Sequence, residues 1–352
     1  MFLEVRAVQP YVSSCTNSFH FVIGRRLKVQ FLTKADMLAL AHLSDVHLGP
    51  LPRPRLAEIS IKRALGFANW HRKRKRVHLK STLDQLVSDL KTQNPDHIAV
   101  TGDLVNIGLP SEFVTAARWL ATLGPPEYVT VVPGNHDAYV RLRSDPGLLR
   151  WADYMRGHEP EFEPSAGNHF PFVKRIGKVA LIGTSSAVPT PPLVAAGWLG
   201  AKQLKALKHV LFVLGQQGCF RVLLIHHPPL PGQAQRLRGL TDAQALADVL
   251  GKVGAELILH GHDHRHILAW ADGPHGRIPA VGVPSGSALG QGHDMPARYN
   301  LFKIATDSHG WHLEMIARGY DRAGQTIREI EHSTLSVPGG GVRGDASGKE
   351  AL

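Results

Sequence analysis

Six short apolar runs punctuate the chain between residues 38 and 264, and each closes on a cluster of polar residues. They are "LALAHLSD" from Leu38, "HIAVTGD" from His97, "YVTVVPGNHD" from Tyr128, "VALIGTSS" from Val179, "RVLLIHHPP" from Arg221 and "ELILHGHDH" from Glu256. Near-continuous hydrophobicity, rich in β-branched residues in four of the runs, is the pattern of strands buried on both faces. Helical periodicity separates several of them. "STLDQLVSDLK" sets Leu83, Leu86, Val87 and Leu90 on one face, "SEFVTAARWLATL" offers Ser111 as its cap, and "TDAQALADVL" offers a Thr241…Gln244 capping box. From residue 265 the pattern turns to strands with little helix: "HILAWAD", "IPAVGVP", "YNLFKIAT" and "WHLEMIARGY". The alternation predicts an α/β fold with one mixed sheet and a second sheet built from the later strands.

No linker-like stretch divides residues 37–334, which therefore read as one catalytic domain. Residues 1–36 carry weak periodicity and are expected to be a poorly ordered extension, with Met37 as an alternative start. The Gly- and Ser-rich 335–352 read as a disordered tail.

Charge changes the picture in one place. The formal net charge is +11, which favours anionic partners: phosphate esters, nucleic acid or an anionic membrane surface. Much of the excess lies in "HRKRKRVHLK", 71–80, at the end of an insertion spanning 57–80. As a helix this insertion places Ile61, Leu65 and Ala68 on one side, with Phe67 and Trp70 at the flank. A solvated basic helix docked on the domain is one reading. A lid, or an element lying peripherally on the inner membrane face or against a nucleic-acid backbone, is the other. Only two cysteines, Cys15 and Cys219, argue against a disulfide framework or a thiolate zinc site and fit a reducing, cytoplasmic compartment.

The candidate chemistry sits at the carboxyl ends of the runs, where open α/β sheets form their ligand crevice. Asp45 and His47 follow the first run and Asp103 the second; Asn135, His136 and Asp137 follow the third. His226 and His227 end a later one, and His260, His262, His264 and His266 form an alternating row. Carboxylate, imidazole and amide donors without thiolate are the set for two divalent ions such as Mn, Fe or Zn. A pair about 3.5–4 Å apart clamps a phosphoryl group.

D-x-H (Asp45, His47), G-D (Gly102, Asp103), G-N-H-D (Gly134 to Asp137), a strand-end His in "HHPP" and G-H-x-H (Gly261, His262, His264) occur in this order. The set resembles the calcineurin-like metallophosphoesterase superfamily, over roughly residues 38–270. The resemblance implies a four-layer sandwich of two mixed β-sheets flanked by helices. It implies that Asp45, His47 and His264 hold a first ion, that Asp103 bridges both, and that Asn135, His226 and His262 complete the second. It implies that His136 assists the leaving group, with Asp137 hydrogen-bonded to its imidazole and raising its pKa, while a hydroxide bridging the ions attacks phosphorus. His260 then reads as a core residue and His266 as solvent-facing or packed in the next strand. The activity implied is a phosphodiesterase of the bacterial cyclic-nucleotide type. A lipid phosphodiester or pyrophosphate hydrolase, a nuclease and a non-catalytic metal-binding scaffold share these motifs as alternatives.

Overall fold

The computed structural model describes residues 37–142, 145–162, 169–290 and 295–338; the expected extension 1–36 and all of the tail from 339 lie outside them. Two six-stranded mixed sheets form the centre. In the first, β1 (Met37–Leu43), β2 (His97–Val100) and β3 (Val129–Val131) run parallel. The second holds β4 (Phe172–Ile176), β5 (Val179–Gly183), β6 (Phe220–Leu224), β7 (Leu257–His260), β8 (Ile267–Gly273) and β9 (Gly276–Gly282), in the order β4-β5-β6-β7-β9-β8. Its four inner strands are parallel and both edge strands antiparallel.

The later strands do not make a sheet of their own. β10 (Arg298–Asp307) pairs antiparallel with β1, and β11 (Gly310–Asp321) and β12 (Thr326–Leu335) extend the first sheet outward. β8 and β9 close the second sheet instead. Strand periodicity marks which residues are extended but carries no partner information, so the division between sheets is decided by tertiary pairing. The core also passes the expected boundary at 334, since Leu335 and Val337 are buried.

Alternation along each strand builds the layers. Leu181, Val222, Leu224, Leu257 and Leu259 face a core shared with Leu43, Ile98, Val100 and Val131 of the first sheet. Their neighbours Ala180, Ile182, Leu223, Ile225 and Ile258 face the other way, onto flanking helices. Besides α1 (Ile61–Asn69) and α2 (Lys75–Val77) of the insertion, the helices are α3 (Lys80–Thr92), α4 (Pro110–Leu123), α5 (Ala201–Gln216) and α6 (Ala243–Val253). Leu83, Leu86 and Leu90 of α3 and Phe113 and Leu120 of α4 join the shared core, while Leu207 and Leu211 of α5 and Leu246 and Leu250 of α6 cover the second sheet. This is the four-layer sandwich.

Two caps differ from expectation. Ser111 lies inside α4; Leu109 is its cap residue, Pro110 starts the first turn, and Glu112 accepts from the Leu109 amide at 2.9 Å. Proline at that position has its φ preset for the helix and lacks only a donor that would go unused. Thr241 donates instead to the Gly197 carbonyl at 2.8 Å, and Asp242, at the N-cap position of α6, makes no side-chain bond to that helix and accepts from the Leu199 and Gly200 amides ahead of α5. These side chains fix one helix start against the other.

Candidate metal centre

Both sheets present the carboxyl ends of their parallel strands to the same edge, and the loops leaving β1, β2, β3, β6 and β7 meet there. Backbone hydrogen bonds stitch them together: Asp45 N–H to Gly102 O at 2.9 Å, His47 N–H to Asp103 O at 3.0 Å and Gly261 N–H to His226 O at 3.0 Å. Asp45, His47, Asp103, His262 and His264 all hold positive φ, between 41° and 75°. Non-glycine residues in this region are uncommon, and they persist where surrounding structure over-determines them, often at functional sites. Gly261 is required by close approach, because a Cβ there would collide with Ser44 and the Asp45 carboxylate.

All seven candidate ligands come together. Around one point, His264 Nε2 lies 3.3 Å from Asp45 Oδ1 and 3.2 Å from His47 Nε2. Around a second, His226 Nε2 lies 3.1 Å from Asn135 Oδ1, and Asn135 Oδ1 lies 2.8 Å from His262 Nδ1. Asp103 Oδ2 sits between them, 3.8 Å from His47 Nε2 and 3.5 Å from His226 Nε2.

The hydrogen-bond roles show that this arrangement suits cations. His47 Nδ1 donates to the Val105 carbonyl and His226 Nδ1 to the Thr101 carbonyl, at 3.2 and 2.6 Å. His226 Nε2 therefore turns its lone pair toward the Asn135 and Asp103 oxygens, acceptor against acceptor, while the lone pair of His47 Nε2 meets the Arg74 guanidinium at 2.7 Å. Asp45 Oδ1 is buried with the His264 Nε2 3.3 Å away, and Asp45 Oδ2 accepts from the His262 amide at 2.9 Å. A fully buried carboxylate with so few donors is costly unless a cation compensates it. Burial, then the charges of Asp45 and Asp137, push the Asp103 carboxyl well above its ordinary range, a pressure that a bridging cation would reverse.

Asp137 does not touch the His136 imidazole. Its carboxylate accepts from the backbone amides of Asp103, Leu104 and Val105 at 2.8, 2.9 and 3.2 Å, and of Gly134 at 2.9 Å. It is a buried clamp holding the loop after β2 against the loop after β3. His136 Nδ1 donates instead to the Asn106 carbonyl, its ring stacks on Tyr139 with centroids 5.4 Å apart, and Nε2 faces Arg74 Nη1 at 3.2 Å. Its pKa is moved opposite to expectation: burial, then the Arg74 cation, hold the imidazole well below its ordinary value.

His227 has both ring nitrogens engaged, Nδ1 with Ser186 Oγ at 2.7 Å and Nε2 with the Ala195 carbonyl at 3.1 Å, although it lies within reach of His226 and His262. His260 is fully buried, with burial lowering its pKa to about 4, and His266 is half-buried beside Glu331. The insertion reverses its predicted face. Ile61 is 78% exposed and Leu65 49%, whereas Arg63 and Trp70 are buried. Trp70 joins Leu51, Ile107 and Leu109 in a small satellite core, and Arg63 donates to the carbonyls of Glu58, Ile107 and Gly108. A π-helical turn, Trp70–Arg74, then leads into α2. Such turns mark functional sites frequently. This one carries Arg74 inward, with Nη2 2.7 Å from His47 Nε2. Arg74 and the buried His78 belong to no motif spacing, and only their place in the basic insertion marked them.

The family model for calcineurin-like phosphoesterases matches residues 38–266. The chain belongs to this family. It is a metal-dependent phosphoester hydrolase, of a family that uses dinuclear divalent metal centres. A glycerophosphodiester phosphodiesterase, GpdQ, of Enterobacter lignolyticus is 30% identical over 156 residues, 41% of this chain and 46% of that protein. A probable cyclic nucleotide phosphodiesterase of Synechococcus is 23% identical over 79% of this chain and 91% of its own length. A dimetal phosphatase from Danio rerio shares the fold with a TM-score of 0.55 and 13% identity, over 86% of this chain and 99% of that one. Among the described residues, no helix is long and apolar enough to cross a membrane.

Proposed function

We propose that the enzyme is a phosphodiesterase working with two divalent ions, with Mn, Fe and Zn as the metals its donor set suits. Asp45, His47, Asp103 and His264 would hold one ion, and Asp103, Asn135, His226 and His262 the other. The observation that carries this reading is the position of Asp103 Oδ2 between the two imidazole clusters. When bound, such a pair supplies Lewis-acid activation of the phosphoryl group and of water.

The rest of the chemistry falls to the chain. The cavity over the centre has a volume of about 660 Å³, and Arg72, Lys73, Arg74, Arg76 and Arg238 line it together with His136. This cationic wall supports an anionic phosphoester as substrate. With Nδ1 committed to Asn106, His136 has only Nε2 to offer a departing alcohol, and Nε2 must be protonated to help. A phosphoryl group entering beside Arg74 would draw the guanidinium to its own oxygens and relieve the like-charge pressure on the imidazole. The substrate thereby favours the acid form that its departure requires. The names of the diesterase relatives support a diester over a monoester substrate.

Turnover of bis-p-nitrophenyl phosphate and p-nitrophenyl phosphate by the manganese-loaded protein tests this. We expect metal-dependent turnover, lost on chelation, with the diester preferred. Monoester turnover alone, or diester turnover that survives chelation, would overturn the reading.

A further inference from the structure

The insertion brings one imidazole to the site beyond those the motifs account for. His78 follows α2 directly, and its backbone forms an antiparallel bridge with Ala288. The bridge is fastened on both sides: Leu79 N–H donates to Ser287 O and Leu289 N–H to Val77 O, each at 2.9 Å. The ring is buried, 5% exposed, and lines the cavity over the centre.

Its Nδ1 lies 2.9 Å from Ser287 Oγ, which lies 3.4 Å from Ser285 Oγ. Ser285 Oγ in turn donates to the Asp45 carbonyl at 2.6 Å. The hydroxyls are all used when donation runs from His78 to Ser287, to Ser285, to Asp45. That direction puts the proton on Nδ1 and leaves the Nε2 lone pair for the cavity. Metal-ligating histidines are oriented in this way, by donating their other ring N–H to an oxygen. The ring centroid stands 4.7 Å from that of His47 and 5.4 Å from that of His264, and ligand atoms of the three histidines lie within 4.8 Å of one another.

We propose that His78 is a further ligand of the first ion, so that the basic insertion is part of the metal centre. The inference rests on the dinuclear reading above. Three imidazoles beside two carboxylates would tilt the first site toward zinc or cobalt relative to manganese, since nitrogen donors suit the former and oxygen donors the latter. The second site, holding Asn135 and one imidazole fewer, would lack this bias.

Titration of the full-length protein with cobalt(II), followed by visible absorption and by calorimetry, tests the proposal without any assay of activity. We expect native protein to bind two ions and H78A to bind the first at least about 10–100-fold more weakly, with the second unchanged. The cobalt band of the first site should weaken in parallel. H78N, whose amide can still donate to Ser287, provides the same reading if H78A fails to fold, with circular dichroism confirming structure. Native affinity and an unaltered spectrum in a folded variant would overturn the assignment. H47A separates the two readings: if it too binds two ions normally, the dinuclear site itself is misassigned. If H47A loses the first ion while His78 variants keep it, only the role of His78 fails.

Discussion

Replacing His136 with alanine should lower kcat on an alkyl phosphodiester by about 10²–10⁴-fold, the usual contribution of a positioned general acid. Both ions should remain bound, because His136 contributes only its backbone amide to the ligand shell, donating to Asp103 Oδ1 at 2.7 Å. The loss should shrink sharply on a p-nitrophenyl ester, whose leaving group departs without a proton. Comparing kcat for the two esters, with the metal content measured in each preparation, checks this. Equal losses on both would mean that His136 orients the phosphoryl group and does not protonate the leaving oxygen.

Replacing Asp137 with alanine should damage the protein in a different way. Four backbone amides, those of Asp103, Leu104, Val105 and Gly134, donate to its carboxylate inside the core. A buried donor left without a partner costs about 1–3 kcal/mol, so the variant should lose several kcal/mol of stability even if the four contributions do not add fully. The loop bearing Asp103 would also lose its anchor, and with it the strained φ of 56° at that residue. Expected results are a lower melting temperature in the presence of chelator and weaker binding of both ions. An unchanged melting curve with a shifted pH–rate profile would restore the sequence-based expectation that Asp137 acts on the His136 ring.

The contrast between these residues shows what the sequence could carry. Candidate ligands at strand ends were legible because each apolar run stops abruptly at a polar cluster, and sheets that run parallel must bring such ends to one edge. Position along the run favoured His226 over His227, and it is His227 whose ring nitrogens are bonded to Ser186 and Ala195. The partner of Asp137 was not legible, since adjacency in sequence puts His136 beside it while the backbone turn aims the carboxylate at the loop after β2. The insertion misled for a related reason. Ile61, Leu65 and Ala68 share a helical face, but Trp70 and the hydrocarbon stem of Arg63 bury the other one. An arginine whose guanidinium finds three carbonyls is as good an anchor as a leucine. Left-handed φ at five candidate ligands likewise leaves no mark in the residue types, because Asp and His tolerate it without requiring it.

The most direct test is a count of metal ions per chain, with diester turnover in the same preparations, for native protein and D103A. A shared bridging carboxylate predicts two ions and turnover in the native protein, and loss of paired binding together with turnover in the variant. Two ions and undiminished turnover in D103A would contradict the account, because Asp103 could not then be the residue that joins the two sites.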